Sequence, residues 1–170
     1  MGSGKTTVGQ LLAQQLQWHF IDTDTEIEKQ QHLSCQKIIE LYGIDFFRQL
    51  ENQILRQLTQ TDLSNTIIAT GGGMPCNSDN LELMLLNGHV VYIKWSAENL
   101  ATRLLLTDLT TRPLLKDSDP IQLTQQIRQD LNQREKYYSQ ANQIITAPVN
   151  NNYCSAEDDF EIAKQIYSLI

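Results

Sequence analysis

What this chain has little of narrows it before any motif is read. Its 170 residues hold three cysteines, Cys35, Cys76 and Cys154, an odd number spread far apart with no C-x-x-C pair. That spacing suggests neither a zinc site nor a disulfide framework and reads as reduced thiols in a cytoplasmic protein. The histidines, His19, His32 and His89, are just as scattered; without metal-ligand spacing they read as structural or surface residues. Basic residues are scarce, 13 Lys and Arg against 20 Asp and Glu, for a formal charge of −7. A nucleic-acid partner calls for a basic face, so that class is set aside, and the acidic balance favours solubility. No apolar run approaches the roughly eighteen residues of a membrane span. The amino terminus carries a glycine turn where a signal peptide has its apolar segment, so the expectation is a soluble, untargeted chain with no membrane partner. An N-K-x-D stretch is also missing, which speaks against a GTPase switch.

What is present starts at once, with Met1-Gly2-Ser3-Gly4-Lys5-Thr6-Thr7. Gly2 and Gly4 let the backbone approach an anion, Lys5 can reach outer phosphates, and Thr6 offers a hydroxyl to Mg²⁺. The following segment, 8–17, reads as a helix whose first amides face the same phosphates. Residues Gly2 to Thr7 are therefore the nucleotide-binding candidates. The full pattern, G-x-x-x-x-G-K-[ST] entered from a strand, needs a first glycine and a strand upstream of Met1. The favoured expectation is a start set too late or a fragment, ahead of a degraded protein; either way the N-terminal strand of the sheet is missing from this sequence.

Along the chain, apolar 18–21 ends at Asp22 and reads as a buried strand, followed by a polar helix over 25–31. Ser34 caps a short helix over 36–42 that Gly43 stops, and an apolar stripe at Phe47, Leu50, Ile54, Leu55 and Leu58 marks another over 44–59. Arg48 and Glu51 lie three apart beside that stripe and can pair. The β-branched run 66–70 enters Gly71-Gly72-Gly73 directly. Then come a helix over 79–86, a strand over 90–95 and a helix capped by Ser96 to about 106. An aperiodic stretch of Asp, Thr and Pro over 107–120 suits an exposed loop. A helix over 121–138, a strand over 143–146 and a closing helix over 157–170 complete the chain. Strands alternating with helices predict an α/β sandwich with a mostly parallel sheet, and the length fits one domain, 1–170.

In open parallel sheets ligands bind outside the carboxyl ends of the strands. Three features fall on that edge: the phosphate loop, Asp22 with Asp24, and the triple glycine. Phosphoryl transfer needs a carboxylate on the metal's side, which Asp22 fits, and another near the acceptor hydroxyl, which Asp24 fits. The bland alternative makes Asp22-Thr23-Asp24 a helix-entry cap. Three consecutive glycines carry a large entropic cost that close approach to a small ligand would explain. Arg48, Arg112 and Arg134 are the candidates for anion contacts, each against the alternative of a solvated surface charge.

So read, the chain resembles the shikimate kinase family, small P-loop enzymes of the nucleoside-monophosphate-kinase type that use ATP to phosphorylate the 3-hydroxyl of shikimate. The resemblance covers nearly all of the chain. It rests on Gly2-Ser3-Gly4-Lys5-Thr6, on Phe20-Ile21-Asp22-Thr23-Asp24 with Ile27-Glu28, and on Phe47-Arg48 with Glu51. Gly71-Gly72-Gly73, Thr111-Arg112-Pro113-Leu114-Leu115 and Arg134 with Tyr138 complete the ordered set. It implies a P-loop NTPase fold, a three-layer α/β/α sandwich with a parallel sheet and a lid loop around 107–120. It implies ATP and Mg²⁺ as cofactors, Lys5 and Thr6 on the transferred phosphate and metal, Asp22 on the metal's water, and Asp24 as the base or orienting group on the shikimate hydroxyls. Arg48 and Arg134 then grip the substrate carboxylate, Gly71, Gly72 and Gly73 pack on its ring, and Arg112 swings with the lid over the phosphates. A monomer is the family's usual state.

Two stretches depart from the family pattern. Leu104-Leu105-Leu106-Thr107-Asp108 is apolar where members tend to be basic and polar, and Pro148-Val149-Asn150-Asn151-Asn152 lacks an arginine that often lies against adenine. Both predict a weaker or differently held nucleotide beside an intact acceptor side. The alternatives are an impaired homologue that binds shikimate or a partner protein, and a related kinase for another hydroxy-compound such as gluconate.

Overall fold

The computed structural model describes residues 2–106, 119–148 and 156–170. In chain order the elements are α1 (Lys5–Leu16), β1 (His19–Asp22), α2 (Thr23–Gln31), α3 (Cys35–Thr59), β2 (Thr66–Ala69), a 3₁₀ turn (Met74–Cys76) and α4 (Asn80–Asn87). They continue with β3 (Val91–Lys94), α5 (Ala97–Leu106), α6 (Pro120–Tyr138), β4 (Gln143–Thr146) and α7 (Ala156–Tyr167). Chain contacts divide these into two compact units, Gly9–Val90 and Met1–Val8 with Val91–Ile170.

In the unit Gly9–Val90, β1 and β2 pair in parallel from His19 opposite Thr66 to Asp22 opposite Ala69. A parallel pair needs a crossover, and α2 and α3 provide it while packing on each other. Gln17, at φ 58°, turns left-handed after α1, so the strand starts at His19 rather than at Trp18. The α2 helix opens two residues earlier than the polar pattern suggests, because Asp22 caps it: its Oδ1 accepts from the backbone amides of Asp24 and Thr25 at 3.1 and 3.3 Å. Left-handed His32 closes it. Ser34 caps α3 through the Lys37 amide. Gly43, at φ 85° and ψ 167°, breaks α3 where the sequence predicts a stop. Ile27, Ile38, Phe47, Leu50 and Ile54 form the core between α2 and α3, with Leu33, Cys35 and Leu58 packed against it.

In the other unit β3 and β4 pair in parallel, Val91 opposite Gln143 to Lys94 opposite Thr146. Their crossover runs through α5 and α6, which pack together, and Asp119 caps α6 with Pro120 at its first position. Trp95, Leu100, Leu104, Ile145, Ile162 and Ile166 are its large buried apolar side chains. The first strand, expected to be buried, is exposed at His19 and half-buried from Phe20 to Asp22, and the other strands are also mostly half-buried. Among the described residues each has one hydrogen-bonded neighbour, which leaves its other edge less covered.

Candidate active site

The phosphate-loop candidates lie at the start of α1. Gly2 and Gly4 both hold left-handed φ values, 75° and 80°, which a side chain would strain. The Gly4 carbonyl accepts from the Val8 amide at 2.8 Å, so the turn runs straight into the helix at Lys5. Amides at such a helix start favour an anion. Lys5 Nζ donates to Ser3 Oγ at 3.0 Å, which folds the ammonium back over the turn. Thr6 and Thr7 are exposed on the first turn of α1.

In the other unit, the ends of β1 and β2 bring Asp24, Glu51, Arg48 and the glycines together. Asp22 is the cap that the bland reading foresaw. Thr23 is fully buried, and its hydroxyl accepts from the Gly71 amide at 3.2 Å, which ties the start of α2 to the glycine turn. A Cβ placed on Gly71 would lie 2.8 Å from Glu51 Oε1 and 2.9 Å from Asp24 Oδ1. One placed on Gly73 would lie 2.5 Å from the Arg48 guanidinium carbon. Neither glycine has a positive φ, so what they supply is room for charged side chains, not an unusual backbone angle. The 3₁₀ turn that follows is held by Asn77, which donates to the Gly73 carbonyl at 2.7 Å. Buried Asn80 donates to the Met74 carbonyl at 2.9 Å and accepts from Asn52 at 2.7 Å.

Arg48 donates to Glu51 Oε2 at 2.6 Å, with the arginine side chain 25% exposed and the glutamate 1%. The glutamate thus holds the guanidinium from the buried side, and part of the arginine side chain stays accessible. Cys35 lies under the same cluster, its thiol donating to the Asp24 carbonyl at 3.6 Å. Burial first, then the negative charges of Asp24, Glu28 and Glu51, pushes that thiol up to about 12, so it stays protonated and unreactive.

A family model described as shikimate kinase matches residues 1–168. The chain belongs to the shikimate kinase family. A shikimate kinase of Azobacteroides pseudotrichonymphae is 39% identical over 145 residues, covering 85% of this chain and 84% of that relative. Shikimate kinase 2 of Photorhabdus laumondii is 40% identical over 148 residues, 86% and 82% of the two chains. Among solved structures, the shikimate kinase of Bacteroides thetaiotaomicron aligns with a TM-score of 0.82 at 29% identity, over 99% of this chain and 92% of that one. That of Acinetobacter baumannii, in complex with shikimate, aligns at 0.80 and 33% identity, over 99% and 87%. The fold class is thus the family's α/β/α arrangement with a parallel sheet.

For a shikimate kinase family member, the structure brings Asp24, Arg48, Gly71 and Gly73 into one cluster with Glu51, which the sequence offered only as a partner for Arg48. Arg134 lies in the unit Met1–Val8 with Val91–Ile170, on α6, 3.5 Å from Asp130 of the preceding turn and 30% exposed. Arg112 and the lid around it fall outside the described residues. Leu104, in the apolar stretch that departs from the family pattern, is 1% exposed, and a Cβ on Gly2 would lie 3.0 Å from it, so this leucine floors the phosphate loop. The sequence reading missed Thr23, whose hydroxyl was hidden inside the Asp-Thr-Asp motif. It also missed Trp95, Arg103 and Asp159, which no local pattern links to the loop. No helix of the described residues is long and apolar enough to cross a membrane.

Proposed function

We infer that the chain transfers the γ-phosphoryl group of ATP to the 3-hydroxyl of shikimate, giving shikimate 3-phosphate and ADP. The observation that carries this reading is the cluster of Arg48, Glu51, Asp24 and the bare glycine turn. It offers a guanidinium for a carboxylate, a carboxylate for a hydroxyl, and a flat backbone for a ring, which is the chemistry of a small hydroxylated cyclic acid. Asp24 orients the 3-hydroxyl and accepts its proton as the oxygen attacks the γ-phosphorus. The new O–P bond forms as the bond from that phosphorus to the β–γ bridging oxygen breaks, and the bridging electron pair leaves with ADP. Arg48, with Arg134, takes the substrate carboxylate in bidentate fashion. Gly71, Gly72 and Gly73 lie along the ring.

On the nucleotide side, the turn Gly2-Ser3-Gly4 and the first amides of α1 take the phosphates, Lys5 reaches the outermost of them, and Thr7 extends the contact. The left-handed glycines and the exposed Thr6 hydroxyl suit a polyphosphate with Mg²⁺, a cation that takes few protein oxygens and keeps several waters. Thr6 would hold Mg²⁺ and Asp22 its water, and the cation would supply neutralisation of phosphate charge. Arg112 would contact the phosphates. Residues 1–170 act as one catalytic domain, monomeric and cytoplasmic, which the protonated thiol of Cys35 suits.

The test is ATP-dependent ADP release by the 170-residue chain with and without shikimate, beside a Lys5→Ala variant. Release that depends on shikimate and vanishes in the variant supports the kinase. Release that responds equally to gluconate and not to shikimate overturns the acceptor assignment.

A further inference from the structure

The loop Gly2-Ser3-Gly4 is braced from behind by three side chains of its own unit that the sequence motif does not include. Arg103 on α5 donates from Nε to the Gly2 carbonyl at 2.8 Å. Trp95, just after β3, donates from its indole nitrogen to the Ser3 carbonyl at 3.1 Å. With the Gly4 carbonyl taken by the Val8 amide, three successive carbonyls of the loop are all claimed by the protein. Across a planar trans peptide the C=O of one residue and the N–H of the next point to opposite sides. Holding the Gly2 and Ser3 carbonyls on Arg103 and Trp95 therefore turns the Ser3 and Gly4 amides the other way, as an anion-binding turn requires.

Arg103 is itself fixed on two further sides. Its Nη2 bonds both oxygens of Asp159 on α7, at 2.7 and 2.8 Å, with the two side chains 12% and 6% exposed. Its guanidinium lies 4.7 Å from the centre of the Trp95 ring, within cation–π range. The loop packs directly on this assembly: a Cβ on Gly4 would lie 2.9 Å from the Asp159 carboxyl carbon and 3.1 Å from Arg103 Nη2. Asp159 thus places a carboxylate beside a phosphate-binding turn, where the arginine between them screens a nucleotide from its charge.

We propose that Arg103, clamped by Asp159 and Trp95, is the positioning residue of the nucleotide site: it sets the orientation of the phosphate loop and screens the phosphates from Asp159. The proposal rests on reading residues 2–6 as a phosphate loop. It gives Arg103 two functions, and they separate in a mutant cycle. Arg103→Met removes the brace and leaves the carboxylate unscreened. Arg103→Met with Asp159→Asn removes the brace alone. Arg103→Lys retains the charge but cannot bond Gly2 and both oxygens of Asp159 at once, and Trp95→Phe keeps the stacked ring while losing the bond to Ser3.

The experiment is calorimetric titration of each folded variant with Mg-ADP and separately with shikimate, together with KM for ATP and the melting temperature. Loss of a charged hydrogen bond predicts an ADP Kd about ten- to a hundredfold weaker in Arg103→Met. The double variant recovers part of that loss, Arg103→Lys and Trp95→Phe fall between wild type and Arg103→Met, and the shikimate Kd stays within about twofold of wild type throughout. A merely structural role would lower the melting temperature of every variant while leaving the ADP Kd and KM for ATP of the folded fraction unchanged. That outcome in the two conservative variants overturns the proposal even if Arg103→Met fails to fold. Lys5→Ala is the control for the loop reading: if it binds ADP as wild type does, that reading fails and takes the proposal with it. Loss of ADP binding in Lys5→Ala beside unchanged binding in the brace variants sinks the proposal alone.

Discussion

Gly73→Ala separates binding from folding at the acceptor cluster. The backbone at Gly73 is helical, φ −87° and ψ −15°, so alanine fits it without strain and narrows the unfolded ensemble, a stabilisation of about 0.4–1 kcal/mol. The obstacle lies only in the side-chain space. The new methyl would stand 2.5 Å from the guanidinium carbon of Arg48, roughly 1 Å inside ordinary carbon contact. Arg48 is the group that must give way, because it is the end of a flexible side chain. Its retreat is restricted by the 2.6 Å bond to Glu51, whose side chain is 1% exposed. The guanidinium therefore leaves the position from which it is proposed to meet a substrate carboxylate. Loss of a charged hydrogen bond is worth about 1.5–3 kcal/mol, which lowers kcat/KM for shikimate by about ten- to a hundredfold. The assay is steady-state ADP release with each substrate varied in turn, alongside a melting curve. KM for shikimate should carry the loss, KM for ATP should stay near wild type, and the melting temperature should hold. An unchanged kcat/KM for shikimate in this folded variant refutes the placement of Arg48 against the substrate.

Gly4→Ala should behave in the opposite way. It forces a side chain into φ 80°, about 1–2 kcal/mol of strain, and drives a methyl against Asp159, so both melting temperature and ADP affinity fall; retention of either contradicts the packing. Cys35, raised from 9.0 to about 12, should alkylate with iodoacetamide at pH 8 about a thousandfold more slowly than in the urea-unfolded chain, because only the thiolate reacts. Mass spectrometry of its peptide measures this, and equal rates would refute the burial. Burial outweighs the lowering influence of the Arg103 guanidinium and holds the Asp159 carboxyl above its ordinary value. A folded pKa above the unfolded one means that its contribution to stability is present below the unfolded value, about 3.9, and is lost as the pH rises through the folded value. The stability of wild type relative to Asp159→Asn, measured by urea unfolding, should therefore fall as pH rises from about 3; a difference that grows with pH contradicts it.

Legibility in the sequence followed the range of the interaction. Elements set by local chemistry emerged nearly intact: β4 at Gln143–Thr146, the stop at Gly43, the caps at Ser34 and Ser96. The Arg48–Glu51 pair was visible because its partners sit three apart on one helix. The triple glycine was legible as a place of close approach to a ligand, but not that side chains of the chain itself crowd it: Glu51 and Asp24 lie against Gly71, and Arg48 against Gly73. The 3₁₀ turn at Met74–Cys76 escaped because it depends on Asn77 and Asn80 bonding back to the carbonyls of Gly73 and Met74. The brace on the phosphate loop escaped more completely. Arg103 and Asp159 are 56 residues apart, and each looks locally like an ordinary helical charge.

The two units use the same device for different ends. In each, an arginine bonded to a buried carboxylate lies against a glycine that has no space for a methyl group: Arg48 and Glu51 at Gly73, Arg103 and Asp159 at Gly4. Such pairs are poor sources of stability, since desolvating both charges offsets their attraction and an apolar pair of similar volume often does as well. What an apolar pair cannot do is hold five N–H donors at a fixed angle against a bare stretch of backbone. At Gly73 the arginine side chain is 25% exposed, as the proposed contact with a substrate carboxylate requires. At Gly4 it is 12% exposed, with Nε on the Gly2 carbonyl and Nη2 on Asp159, bonds that hold the loop. The difference in exposure, 25% against 12%, matches the two proposed roles, an arginine that receives a ligand and one that positions the backbone that does.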